Sequence, residues 1–77
     1  MSESEEELPE QAVQKLVAWR QRNGLSQRAA VEFMQVHGLP VTLTALEKWE
    51  MGDRRPRGLA AYALLRFLEE HPTVSKK

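Results

Sequence analysis

The 77-residue sequence predicts a compact all-α domain of four short helices. Three observations carry this prediction. Four segments repeat apolar residues three and four positions apart, the spacing of one helix face. None of them alternates apolar and polar residues as a half-buried strand would, and no internal repeat is present. The segments are also punctuated: Pro9, Ser26, Thr42 and Pro56 stand at their starts, and Gly24, Gly38, Gly52 and His71-Pro72 at their ends.

Pro9 suits the first turn of helix one, where an N–H would be unpaired anyway, and Glu10 suits the positive end of the dipole. Ala12, Val13, Leu16, Val17 and Trp19 form its apolar stripe, and Asn23-Gly24 stops it. Leu25 turns inward and Ser26 caps a second helix over residues 27–37, with Ala30, Val31, Phe33, Met34 and Val36 as a broad apolar face. Leu39-Pro40-Val41 makes a turn. Thr42 then caps helix three over residues 43–51, where Ala45, Leu46 and Trp49 point inward. Helix four follows Pro56 and carries Leu59, Ala60, Ala63, Leu64, Phe67 and Leu68 until Pro72 ends it. The expected organisation is a disordered acidic leader over residues 1–8, one domain over 9–72 and a frayed tail over 73–77.

Composition narrows the function. Without cysteine there is no disulfide or thiolate metal site, so helix packing or a partner subunit must stabilise the small core. No apolar run approaches the roughly 20 residues that span a bilayer, and residues 1–10 lack the basic and apolar regions of an export signal. A cytoplasmic protein with no membrane association is expected. His37 and His71 sit at helix ends, with no acid pair or second histidine in ligand register. There is neither a Ser/His/Asp arrangement nor a glycine-rich phosphate loop. The expectation is a protein that is not an enzyme, with no catalytic residue, metal or cofactor.

The formal charge is zero, but its distribution is uneven. Glu3, Glu5, Glu6, Glu7 and Glu10 fall in the first ten residues, leaving eleven bases against six acids over residues 11–77. This separates a positive body from an acidic leader. The leader is read either as a solvated segment favourable to the helix dipole or as an arm that competes with phosphate for the basic face.

The most informative stretch is Trp49-Glu50-Met51-Gly52 followed by Asp53-Arg54-Arg55-Pro56-Arg57: a helix exit, a basic turn and the next helix. Together with Trp19-Arg20-Gln21-Arg22-Asn23-Gly24-Leu25-Ser26-Gln27, Leu46-Glu47-Lys48 and the leucine-rich segment 59–68, it resembles the lambda-repressor and Cro-like helix-turn-helix family. This family is often called the xenobiotic-response-element type. The resemblance covers about residues 12–70. It implies a compact helix-turn-helix domain of four helices, five at most, that binds double-stranded DNA as a sequence-specific transcriptional regulator, a repressor. Helix three would lie in the major groove while helix two crosses the backbone.

Residue by residue, the resemblance gives Gln27 a phosphate contact at the N-terminal end of helix two, with Arg28 beside it. It places Leu43, Thr44, Glu47 and Lys48 at base-reading positions, with Thr42 as cap. Lys48 suits guanine, Thr44 donates or accepts, Leu43 suits a thymine methyl and Glu47 accepts only from cytosine. Arg54, Arg55 and Arg57 bracket a stiff Pro56 and are suited to a phosphate strand or a narrow minor groove. Arg20 and Glu50 correspond to a structural ion pair. Between Ser26 and Trp49 the chain is longer than the family pattern, with the surplus near residues 36–40.

A repressor on two half-sites also needs a homodimer, for which Tyr62, Leu65 and Leu68 are candidate contacts if they are not core. The rival reading is a protein-binding module of the same fold, docking on RNA polymerase, a toxin or a regulator, with weak or no specific DNA binding. The neutral charge, the sparse base readers and the apolar Phe33, Met34 and Val36 suit it.

Overall fold

Each turn of the chain is closed by local chemistry that the sequence supplies. The computed structural model describes the backbone of residues 2–74 and the side chains of residues 8–74. It contains α1 (Ser2–Arg22), α2 (Gln27–Val36), α3 (Leu43–Met51) and α4 (Gly58–Glu70), with no strand among the described residues. Ser26 caps α2 by accepting the Ala29 N–H at 3.1 Å, and Thr42 caps α3 by accepting the Ala45 N–H at 3.1 Å. These caps satisfy amide donors that have no partner within the helix.

The core forms where the four stripes meet. Ala12, Leu16 and Trp19 of α1 pack with Ala30, Val31 and Met34 of α2, Leu46 of α3, and Ala61, Leu64, Phe67 and Leu68 of α4. The long α1 and α4 make the most extensive helix pair, and α3 rests mainly on α2. Trp19 is 1% exposed, and its indole N–H donates to the His71 carbonyl at 2.6 Å, which ties the end of α4 back to α1. Phe33, Phe67, His37 and His71 close one end of the core, with the two imidazole centroids 4.6 Å apart.

Several expectations need correction. Helix one begins at Ser2 rather than Pro9, so the backbone of the expected leader continues α1. Serine and glutamate at a helix start are compatible with its dipole, whereas Pro9 inside the helix gives up one intrahelical bond and crowds the carbonyl four residues before it, a cost of about 3 kcal/mol. The tail expected to fray from Thr73 is held as far as Val74, whose N–H donates to Asn23 Oδ1 at 2.9 Å; residues 75–77 lie outside the described residues.

Three apolar residues assigned inward are exposed instead: Val36 at 80%, Leu59 at 84%, and Ala60. Val36 and Leu59 each lie two positions from a buried neighbour, Met34 and Ala61, which is about 200° around a helix. Leu65 and Leu68, offered as dimer contacts, are spent on the core: Leu68 is buried and Leu65 packs against it. Tyr62 remains exposed at 53%.

The surplus between the second and third helices forms an ordered connection over residues 37–42. The Leu39 N–H reaches back to the Met34 carbonyl at 2.8 Å, and Gln35 Nε2 donates to the Val41 carbonyl at 2.9 Å. Val41 itself is buried, so the connection is packed as well as bonded.

Candidate nucleic-acid interface

The end of α3 decides where the arginines go. Gly52 has φ 83°, a left-handed conformation that costs a residue with a Cβ about 1–2 kcal/mol. It lets the Asp53 N–H bond the Lys48 carbonyl at 3.0 Å and the Gly52 N–H bond the Trp49 carbonyl at 3.2 Å, so the last turn is closed and the chain reverses. The reversal brings Arg54, Arg55 and Arg57 back beside the outer side of α3, with Pro56 buried as the anchor of the loop.

The result is one open cleft of about 790 Å³ lined by Thr44, Lys48, Arg54, Arg55 and Arg57, with Trp49 also in its wall. Thr44, Glu47, Lys48 and Met51 recur at helical spacing along the solvent side of α3. Of these, Thr44 and Lys48 turn into the cleft. Glu47 is exposed outside it. Thr42 lines the cleft as well, but its hydroxyl oxygen is engaged in capping. Leu43 packs half-buried against the core, which withdraws much of the side chain proposed to touch a thymine methyl.

Gln27 and Arg28 stand apart from the cleft, at the start of α2. Arg28 is exposed, whereas Gln27 is half-buried and its Nε2 donates to Glu50 Oε1 at 3.0 Å. One of its two amide donors is therefore held inside the protein, leaving the other N–H and the amide oxygen.

That bond belongs to a corner built around Arg20. Its Nε and Nη2 donate to the two Glu50 oxygens at 2.9 and 2.8 Å, and its Nη1 donates to the Leu25 carbonyl at 3.0 Å. The side chains are 17% and 10% exposed, so the pair is largely desolvated, and its two-pronged geometry offsets that cost. The glycine at position 24, with φ 65°, makes the corner possible: the Leu25 N–H bonds the Arg20 carbonyl at 3.0 Å and turns the Leu25 carbonyl toward the guanidinium. The corner joins α1, the start of α2 and the end of α3, and so fixes the helix on which the cleft is built.

Two carboxylates already face cleft cations. Glu10 Oε2 lies 3.2 Å from Arg55 Nη2, and Asp53 Oδ2 lies 3.6 Å from Lys48 Nζ. Both pairs are solvent-exposed, where such contacts contribute about 0–1 kcal/mol and a competing anion can displace them. Arg54 and Arg57 have no carboxylate partner among the described residues. Asp53 and Glu10 escaped the sequence reading as partners of the cleft cations. Asp53 was signalled by its place between the helix-ending glycine and the arginines, whereas Glu10 is forty-five positions from Arg55 and only the packing of α1 brings them together.

No helix among the described residues is long and apolar enough to cross a membrane, and no group of three or more His, Cys, Asp or Glu among them could hold a metal ion. Compared with known proteins, the chain matches no family model, no curated protein and no solved structure.

Proposed function

We propose that the protein is a DNA-binding transcriptional regulator of the lambda-repressor and Cro-like helix-turn-helix type, acting as a repressor. The observation that carries this reading is the sharing of one cleft by Thr44 and Lys48 of α3 with Arg54, Arg55 and Arg57 of the following loop. A helix presenting hydrogen-bonding side chains beside an array of guanidinium groups suits a duplex, where cations hold the phosphates and the helix reads base edges. Lys48 and Thr44 are the base readers, Arg54 and Arg55 the principal phosphate contacts, and Arg28 with the remaining donor of Gln27 a second phosphate contact at the start of α2.

The competing reading, a module that docks on another protein, draws on one specific feature: Glu10 and Asp53 already counter two of the cleft cations. The test is selection of bound duplexes from a random pool, followed by titration of the selected duplex at increasing salt. A DNA regulator enriches a defined site, and its association constant falls linearly with salt on logarithmic axes, by about 0.9 per phosphate contacted. Failure to enrich any site, with no salt-sensitive association, would overturn the proposal in favour of protein docking.

A further inference from the structure

A second surface adjoins the cleft and differs from it in chemistry. Between α3 and α4 runs an open groove of about 470 Å³. Buried Val41 and Leu64 form its floor, half-buried Leu39, Trp49 and Ala63 its walls, and Leu59 stands 84% exposed on its rim. A concavity of this size with a mostly apolar lining is the setting in which proteins hold small molecules.

One charge interrupts the apolar lining. Arg57 borders the groove where it opens into the cleft, and it is the single charged side chain lining the groove among the described residues. No carboxylate lines either surface among those residues, and no salt bridge among them claims Arg57. The groove between α1 and α4, of about 400 Å³, is different: Lys15, Arg22 and Glu69 line it, so it carries both signs.

We propose that the groove between α3 and α4 binds a small amphipathic acid, an apolar aromatic body that bears one carboxylate. The body covers Leu59 and packs against the Trp49 ring, and the carboxylate is held by Arg57. A neutral apolar molecule would fill the same groove and leave the guanidinium unused. A cation would meet Arg57 with no acid to offset the repulsion. Arg57 therefore sets the charge of the ligand, and the apolar walls set its body.

Arg57 also belongs to the cationic cleft, whereas Lys48, Arg54 and Arg55 line the cleft and not the groove. A carboxylate on Arg57 removes one of the cations that would face a duplex and leaves the other three in place. The ligand therefore weakens duplex binding without abolishing it, and by linkage the duplex weakens ligand binding by the same factor. This consequence rests on the regulator reading; the ligand site does not.

Titration of the isotope-labelled intact chain with naphthylacetate, followed by NMR without nucleic acid, tests the site. Saturable shifts are expected at Leu39, Trp49, Leu59 and Ala63, and none at Lys15 or Glu69 of the other groove. The acid should bind about fivefold more tightly than neutral naphthylethanol, the worth of one exposed ion pair. Arg57→Gln should abolish that preference, and Leu59→Ser should weaken both compounds alike; both side chains are exposed, so the fold is retained. Equal affinity for acid and alcohol, a preference that survives in Arg57→Gln, or shifts spread over both grooves would overturn the proposal. Groove signals that move with protein concentration alone would show a second copy seated there and would overturn it as well. With a selected duplex, saturating naphthylacetate should lower the slope of the salt dependence by about 1 in the wild type and leave that of Arg57→Gln unchanged. A wild-type slope that the acid does not move would overturn the coupling. If no duplex binds at all, the regulator reading fails, and the titration still decides the ligand site.

Discussion

Arg20 and Arg55 carry the same guanidinium, yet the fold treats them oppositely. Arg20 commits Nε, Nη1 and Nη2 to Glu50 and the Leu25 carbonyl at 2.8–3.0 Å, largely out of solvent. The Arg55 side chain is 59% exposed and makes one hydrogen bond among the described residues, to Glu10 at 3.2 Å. The difference teaches that an arginine's role follows from how many of its donors the fold has already claimed. The corner holds helices in place, and the loop keeps donors free for a ligand.

The largest effect that separates the two regions is on stability. Arg20→Ala leaves Glu50 desolvated with Gln27 as its remaining partner, which costs about 3–5 kcal/mol. At roughly 0.05–0.15 kcal/mol per residue, a domain of this size has about 4–12 kcal/mol in total. Urea denaturation of Arg20→Ala should therefore show a large fraction of the stability lost, all of it if the wild type lies at the low end of that range, and Arg20→Lys should fall between it and wild type, because an ammonium cannot reproduce the two-pronged contact. A wild-type midpoint for Arg20→Ala would erase the distinction between corner and loop.

Next in size is the binding effect of the loop. Arg54→Ala and Arg55→Ala should each leave stability within about 0.5 kcal/mol, since both side chains are exposed. Each should lower the slope of the salt dependence for a bound duplex by about 1, and the double variant by about 2. Equal slopes for wild type and the double variant, measured by fluorescence anisotropy, would show that the loop does not touch phosphate.

What was legible in the sequence follows the same division between local and distant causes. The start of α2 at Gln27 and both ends of α3 were readable, because Ser26, Thr42 and Gly52 act on amides and carbonyls within a few residues. The start of α1 was not, since proline favours a first turn and is penalised inside a helix, yet α1 carries Pro9 in its interior. Apolar stripes read too broadly placed Val36 and Leu59 inside, whereas both stand about 200° around their helices from the buried Met34 and Ala61. Within the site, the arginine cluster was visible in the sequence itself, whereas the reading positions on α3 came from the family resemblance. The withdrawal of Leu43 into the core and of Gln27 toward Glu50 depended on where neighbouring helices pack, which no local pattern encodes.

The smallest predicted effect probes the contact that crosses between the acidic and basic parts of the chain. Glu10 sits on α1, beyond the segment that the corner secures, and its carboxylate occupies the position on Arg55 that a phosphate oxygen would take. An exposed pair of this kind is worth about 0.2–1 kcal/mol, so releasing it with Glu10→Gln should tighten duplex binding by up to about fivefold at low salt. The gain should shrink as salt rises, because screening weakens the internal competitor in the wild type as well. Glutamine keeps the length and helix preference of the side chain, which confines the change to charge. If Glu10→Gln instead weakens binding, the carboxylate orients Arg55 toward the duplex, and the loop is less free than its exposure implies.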